Sequence, residues 1–394
     1  MSAQDRARSF FLTSDFVVPT FAGALFFFVF HSFLLLPLRV EDLGGSPSDI
    51  GFIMGVSGVT MLLFTPLSGV LADEYGRKPF IVLGFFALFL ACAGFIFLQN
   101  LGWGIYALRM LQGAAFSLFF TATGALITEI TPEGKRVQAM GLYGMFTILG
   151  YAVAPYCGKI IIDLSGFTAL FIVISIVCFL GAVLSFFVKD MATDSGTGKN
   201  GNGSRFLPPF SHPLALAVGT FFVSGWVFMS QFSFVSLSSR SIGIEDFYLF
   251  FVFFTAAVLF VRIFLGWAPD RYGIRRICPP FLFLAFASVL VLAFSRTPFS
   301  VSVSGALFGI AHGFTYPSLY LLAMEKSGNR SKAKVFALCN ASFTSGGMLG
   351  TFVSGIVANE FDYLTMYIFL ACMALAGFFA FMIALRVTDK AAIS

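Results

Sequence analysis

The stretch GVLADEYGRKP, Gly69 to Pro79, decides the fold. It follows a long apolar run, carries Asp73, Glu74, Arg77 and Lys78 within six residues, and leads directly into a second apolar run. This is the pattern of a tight hairpin between two membrane helices. Gly76 permits the turn, and the basic residues mark the side on which positive charge is retained. The stretch has an echo, GWAPDRYGIRR, from Gly266 to Arg276. Gly69 and Gly266, Asp73 and Asp270, and Gly76 and Gly273 each stand 197 positions apart in a chain of 394 residues, and Lys78 falls on Arg275 at the same offset. A distinctive loop that returns at half the chain length marks an internal duplication. The expectation is a membrane protein made of two related halves.

Composition agrees. Hydrophobic residues make up 58% and charged residues 11%, with a mean hydropathy of +0.92, against roughly half and a quarter in soluble domains. The 55 phenylalanines read as lipid-facing surface. A basic balance can signal nucleic acid, but about 18 of the 24 Lys and Arg fall in segments assigned to the cytoplasmic side, which is topology rather than a binding patch. The six cysteines stand singly in apolar runs without CxxC spacing, so neither metal nor disulfide is expected. The first apolar run is long and lacks a small-x-small cleavage site, and reads as an uncleaved membrane helix.

Apolar runs of about 20 residues predict spans near 16–38, 49–71, 80–98, 102–127, 138–162 and 166–188, then 214–238, 246–268, 277–295, 299–324, 334–358 and 363–385. Between the sets, KDMATDSGTGKNGNGSRFLPPFSHP (189–213) is rich in Gly, Ser and Asn and reads as a flexible cytoplasmic linker. The predicted fold is an all-α membrane protein: an N-terminal six-helix bundle over 1–188, the linker, and a C-terminal six-helix bundle over 214–394. Twelve spans return the chain to its starting side, with both termini cytoplasmic.

These residues resemble the major facilitator superfamily along the whole chain. The Gly69–Pro79 loop is similar to that family's loop between the second and third helices, and Gly266–Arg276 to its echo between the eighth and ninth. YALRMLQGAA, with Arg109, Gln112 and Gly113, is similar to the fourth-helix motif. GLYGMFTILGYAVAPYCGK is similar to the fifth-helix motif associated with exporters, with Gly141, Gly150, Pro155 and Gly158 in place and Ala154 and Lys159 where glycines are usual. The resemblance implies two bundles rocking about a central site in a cytoplasmic membrane, with a monomer sufficient and no cofactor. Its loops Gly69, Asp73, Gly76, Arg77, Lys78, Gly266, Asp270, Arg271, Gly273 and Arg275 would latch the cytoplasmic side. Parallel halves with a site at their interface are a known transporter plan. The small pairs Gly51/Gly55 and Gly346/Gly350 are expected where moving helices touch.

Charged groups inside a bilayer are costly, so each is a functional candidate. Predicted spans 3, 6, 9 and 12 hold essentially none. The exceptions fall on spans 1, 4, 7 and 10: His31; Arg109 and Gln112; Gln231 with Ser230 and Ser233; His312 with Tyr316 and Tyr320. They are the expected substrate or proton pathway. Each has a bland alternative as a hydrogen-bonded packing residue. No carboxylate lies mid-membrane, so a proton carrier would be His31 or His312, or else peripheral Glu129, Glu325, Asp163 or Asp49. Arg262 is expected to snorkel toward the neighbouring loop. The expected activity is secondary active transport of a small organic solute, with proton-coupled export of a drug or metabolite ahead of a proton-coupled uptake symporter. A polytopic enzyme is disfavoured, because three separated histidines make no catalytic cluster and no GxxxxGK[ST] loop is present, and a non-transporting receptor is disfavoured by the intact latch loops. The partners expected are the solute, protons and lipid, with no nucleic acid.

Overall fold

The computed structural model describes residues 10–189, 212–325 and 332–391. Among them every regular element is helical. The first half comprises α1 (Ser14–Ser32), α2 (Leu36–Asp42), α3 (Pro47–Tyr75), α4 (Lys78–Ile96), α5 (Trp103–Ile130) and α6 (Arg136–Ser185). The second comprises α7 (His212–Arg240), α8 (Tyr248–Phe260), a π turn (Val261–Leu265), α9 (Ala268–Tyr272), α10 (Ile274–Ala293), α11 (Pro298–Met324), α12 (Lys332–Glu360) and α13 (Tyr363–Ala391). Among the described residues, ten helical stretches are long and apolar enough to cross a membrane. One of them, Gln138–Ser185, runs 48 residues and is broken at Gly166, whose φ of 78° no neighbouring helical residue shares. The linker expected over 189–213 lies, from residue 190 to 211, outside the described residues.

The quoted loops turn where glycine was expected. Gly76 takes φ 91° and Gly273 φ 85°, a backbone region that favours glycine. Two predicted helices differ from expectation. The first is interrupted by a 3-10 turn at Phe33–Leu35, because Pro37 has no N–H to return to the Phe33 carbonyl. The eighth, predicted unbroken over 246–268, widens into the π turn at Val261–Leu265 before the loop.

The described residues fall into two compact units. One gathers the chain up to Arg39 and from Val59 through α6; the other takes Val40–Gly58 with α7 through α13. The start of α3, through Gly58, therefore packs with helices of the second half. Its glycine face explains this. A Cβ on Gly355 of α12 would lie 2.9 Å from the Gly51 Cα and 2.7 Å from the Pro47 carbonyl oxygen, and Gly58 faces Met348. Backbones this close admit only small residues. Within the same unit Arg240, at the end of α7, pairs with Asp42 at 2.9 Å and Glu41 at 3.4 Å. Gly346 and Gly350, expected to mark moving helices, instead face Phe222 and Trp226 of α7 inside the second half.

The phenylalanines correct another expectation. The largest fully buried side chains among the described residues are all Phe, including Phe26, Phe85, Phe119, Phe232 and Phe251. Phe26 stacks on Phe119 with centroids 3.9 Å apart, and Phe228 on Phe232 at 4.2 Å. Others, such as Phe21 and Phe86, do face outward. Against lipid the hydrophobic effect gives no preference for either side, so aromatic packing decides which rings go inside.

Gly346→Ala would drive a methyl into the Phe222 carbonyl. Such overpacking costs about 1–3 kcal/mol, so the purified variant should melt below wild type. Gly141→Ala, with open space around the site, should melt at or above wild type. Equal melting of both variants would contradict the packing described.

Candidate functional site

In the first half the loop charges form a three-membered cluster. Arg77 lies 2.5 Å from Asp73 and 2.7 Å from Glu129, which sits at the end of α5. The hydrogen bond to Glu129 holds the guanidinium above its ordinary pKa. A raised value means that the stabilisation is present throughout the working pH range and is lost only in strong alkali. Gly69 packs near Thr121, and Lys78 opens α4. In the second half Arg275 pairs with Glu325, just past α11, at 3.1 Å. The echo is in the partner: each loop arginine reaches the acid that closes the fourth helix of its own half. Asp270 does not repeat Asp73. It is exposed and forms no ion pair among the described residues, while Arg271 lies over the rings of Trp267 and Tyr272 at 5.6 and 5.8 Å.

The four peripheral carboxylates considered as proton carriers all have structural partners. Glu129 and Glu325 are paired as above. Asp163 holds Lys159 at 2.6 Å. Asp49 accepts from the Ser46 backbone N–H at 2.9 Å and from its hydroxyl at 2.7 Å, bracing the start of α3.

The interior polar groups form one cluster per half. In the first, α1 places His31 in a buried position, its ring stacked on Tyr151 of α6 with centroids 3.7 Å apart. The stacking depends on the fifth-helix motif: a Cβ on Gly150 would lie 2.6 Å from His31 Nδ1, and one on Gly158 2.5 Å from Leu35. Ala154, between them, is fully buried. Small residues at 150, 154 and 158 thus form the face on which α1 rests, so the substituted alanine keeps the groove. Pro155 lies inside α6, and Gly141 touches nothing. On α5 the buried Arg109 donates to Gln112 Oε1, one turn on. Two buried nitrogens here, His31 Nδ1 and Gln112 Nε2, have no hydrogen-bond partner, and Arg109 brings a full charge.

In the second half Gln231 of α7 is fully buried, with neither its Oε1 nor its Nε2 hydrogen-bonded. An amide orphaned at both ends in an apolar setting costs about 2–6 kcal/mol, which makes Gln231 a candidate site residue. His312 of α11 lies among Phe228, Phe254 and Tyr316, with centroids at 4.9, 5.8 and 5.0 Å. It also lines a narrow cleft between α7, α10, α11 and α13, together with Thr220, Ser224, Phe308 and Thr315. One turn on, the Tyr320 and Tyr316 hydroxyls both donate to Asn340 Oδ1 of α12, at 2.7 and 3.3 Å.

Sequence reasoning missed three members. Tyr151 and Asn340 are single polar residues in apolar runs, visible by the same test that selected Gln231. Arg262 was assigned to the loop; the π turn instead brings it within electrostatic reach of Tyr316 and His312.

Gly150→Ala should lower the melting temperature through contact with His31, and His31→Ala in the same chain should restore a large part of the loss. A coupling of about 1 kcal/mol or more is expected for neighbours of this kind; strict additivity would contradict the contact.

The Major Facilitator Superfamily model matches residues 19–350. The "Multi-drug resistance efflux pump PmrA" of Streptococcus pneumoniae is 27% identical over 344 residues, covering 83% of this chain and 85% of that protein. The "Staphylopine export protein" of Staphylococcus aureus is 25% identical over 362 residues, covering 86% and 89%. Among solved structures, the nucleoside transporter NupG superposes with a TM-score of 0.74 at 14% identity over 95% of this chain and 100% of that one. A bacterial homolog of the lysosomal transporter Spinster gives 0.74 at 13% identity over 94% and 96%; at these identities both show the fold alone. With its duplicated loop, its helical membrane architecture and this match, the chain belongs to the major facilitator superfamily of membrane transporters.

Proposed function

We propose that this protein exports a small amphipathic organic solute by alternating access, driven by protons moving the opposite way. The single observation that carries the reading is the sorting of polar groups. His31, Arg109, Gln112, Gln231, His312 and Tyr316 lie inside helices α1, α5, α7 and α11, whereas the four carboxylates weighed as proton carriers, Glu129, Glu325, Asp163 and Asp49, each have a structural partner. The two histidines are then the proton carriers that remain within the spans. Phe228, Phe254 and Tyr316 around His312 suit a solute with an apolar or aromatic body. The printed names of the relatives, a multidrug efflux pump and a staphylopine exporter, favour outward transport.

In this reading the chain has twelve spans: α6 supplies two across Gly166, and α11, at 27 residues, supplies another. The bundles are 1–188 and 214–394 with a cytoplasmic linker over 189–213, both termini face the cytoplasm, and a monomer contains the whole pathway. The ion pairs of Arg77 and Arg275 hold the cytoplasmic ends of the helices.

Purified protein in proteoliposomes should move a labelled solute against its gradient only when protons flow the other way. His312→Ala and Arg109→Ala should reduce this flux at matched protein levels, each by about tenfold or more if a buried charged or hydrogen-bonding contact worth roughly 1.4 kcal/mol is lost. Asp73→Asn should lower flux without lowering the amount of folded protein. Solute movement in the same direction as protons would make the protein a symporter and overturn export; flux indifferent to the pH gradient would overturn proton coupling.

A further inference from the structure

The second half holds a cation whose charge nothing nearby cancels. From Tyr248 to Met324 the chain carries five arginines and one carboxylate, Asp270, which is exposed in the loop. Glu325 is taken by Arg275 at 3.1 Å. Arg262, inside an apolar span, forms no ion pair among the described residues. A guanidinium stays charged at every working pH and is expensive within a bilayer unless an anion or a polar set receives it.

Its position is built by the fold. Gly305, Gly309 and Gly313 lie along one face of α11 and receive Phe250, Phe254 and Val261; a Cβ on Gly313 would stand 3.0 Å from the Val261 Cβ. This contact seats the π turn beside the next turn of α11, where Tyr316 begins. Insertions of this type recur at functional sites because they re-aim one side chain without ending the helix.

The hydrogen-bond inventory of the neighbourhood is one-sided. Asn340 Oδ1 already accepts from both tyrosine hydroxyls, at 2.7 and 3.3 Å, so the amide has only its NH2 donors left to offer. Arg262 adds a cation within electrostatic reach of Tyr316, and with the amide oxygen spent only the two hydroxyl oxygens are left as neutral acceptors. Aromatic rings wall the cluster: Phe221 and Phe343 lie 5.5 and 5.6 Å from Tyr316, and Phe336 stacks on Tyr320 at 4.8 Å.

We infer that Arg262 and the Asn340 amide, within the aromatic walls of Tyr316 and Tyr320, form a binding subsite for the carboxylate of an amphipathic organic anion. The inference rests on the transport reading above and names its substrate class. Arg262 supplies the charge and Asn340 a directed donor, while the two tyrosines hold the amide with its NH2 group free. A cationic solute would meet an uncompensated like charge and be disfavoured.

The test uses the full chain in phosphatidylcholine nanodiscs and three probes that share one ring: naphthalene carboxylate, its amide and the corresponding aminomethyl cation. Equilibrium dialysis should show the carboxylate binding at least about tenfold more tightly than either other probe. Arg262→Gln should abolish that preference, Arg262→Lys should retain part of it, and Asn340→Asp, which places a carboxylate beside the cation, should also remove it. A monodisperse elution profile confirms that each variant is folded. Preference for the cation, equal binding of all three, binding of none, or an unchanged preference in Arg262→Gln would each overturn the subsite. Competition by added anionic lipid would reassign it to a lipid headgroup and overturn the solute claim. Proteoliposome flux, measured in parallel, separates the readings: gradient-driven export of the cation would sink the anion subsite and leave transport intact, whereas carboxylate binding without flux of any probe would sink transport and leave the subsite.

Discussion

A bilayer interior supplies neither counter-charge nor hydrogen bond, and the arrangement of this protein follows from that constraint. Backbone groups are satisfied within helices. Carboxylates are kept at helix ends, where Arg77, Arg275, Lys159 and Arg240 meet them. What remains inside the spans is a short set of cations, imidazoles and amides that the protein itself satisfies only in part. Gln231 keeps both ends of its amide unbonded, and His31 and Gln112 each keep one nitrogen unbonded. In the proposed reading, groups retained at such a cost serve the passage of solute and protons.

The same constraint shapes the packing. With no hydrophobic force between helices in lipid, close approach and interlocking rings do the holding. Glycine faces carry the approach, on α3 against α12, on α11 against α8, and on α6 against α1. Phenylalanine carries the interlocking. The fifth-helix motif shows how the two connect with the site: Gly150 exists at that position so that His31 can stack on Tyr151, and a packing residue thereby sets the position of a polar one.

Much of the fold was legible before any coordinates. The duplicated loop announced two halves, and its glycines mark the two turns, at Gly76 and Gly273. Of the polar residues selected by their cost in a membrane, His31, Arg109, Gln112 and Gln231 are buried, and His312 and Tyr316 are half-buried. Other features left no readable signal. Apolar spans show no periodicity when lipid and core are equally greasy, so the burial of Phe26 or Phe251 could not be told from the exposure of Phe86. The π turn at Val261–Leu265, which contains Arg262, interrupts a run whose apolar sequence continues smoothly. The attachment of Val40–Gly58 to the second half rests on Gly355, which the small-pair pattern did not single out. Partners such as Asn340 are set by tertiary packing, to which spacing along the chain is blind.

The central claim is that the buried polar groups line a path reached alternately from both sides of the membrane. The direct measurement is the reaction of a membrane-impermeant thiol reagent with a single cysteine, introduced as Gln231→Cys or Tyr316→Cys in a background lacking the six native cysteines. Vesicles of each orientation would be compared. The expected result is labelling from either face, with the balance shifted by a bound solute or an imposed pH gradient. Labelling from one face only, or from neither, under every condition would contradict the account.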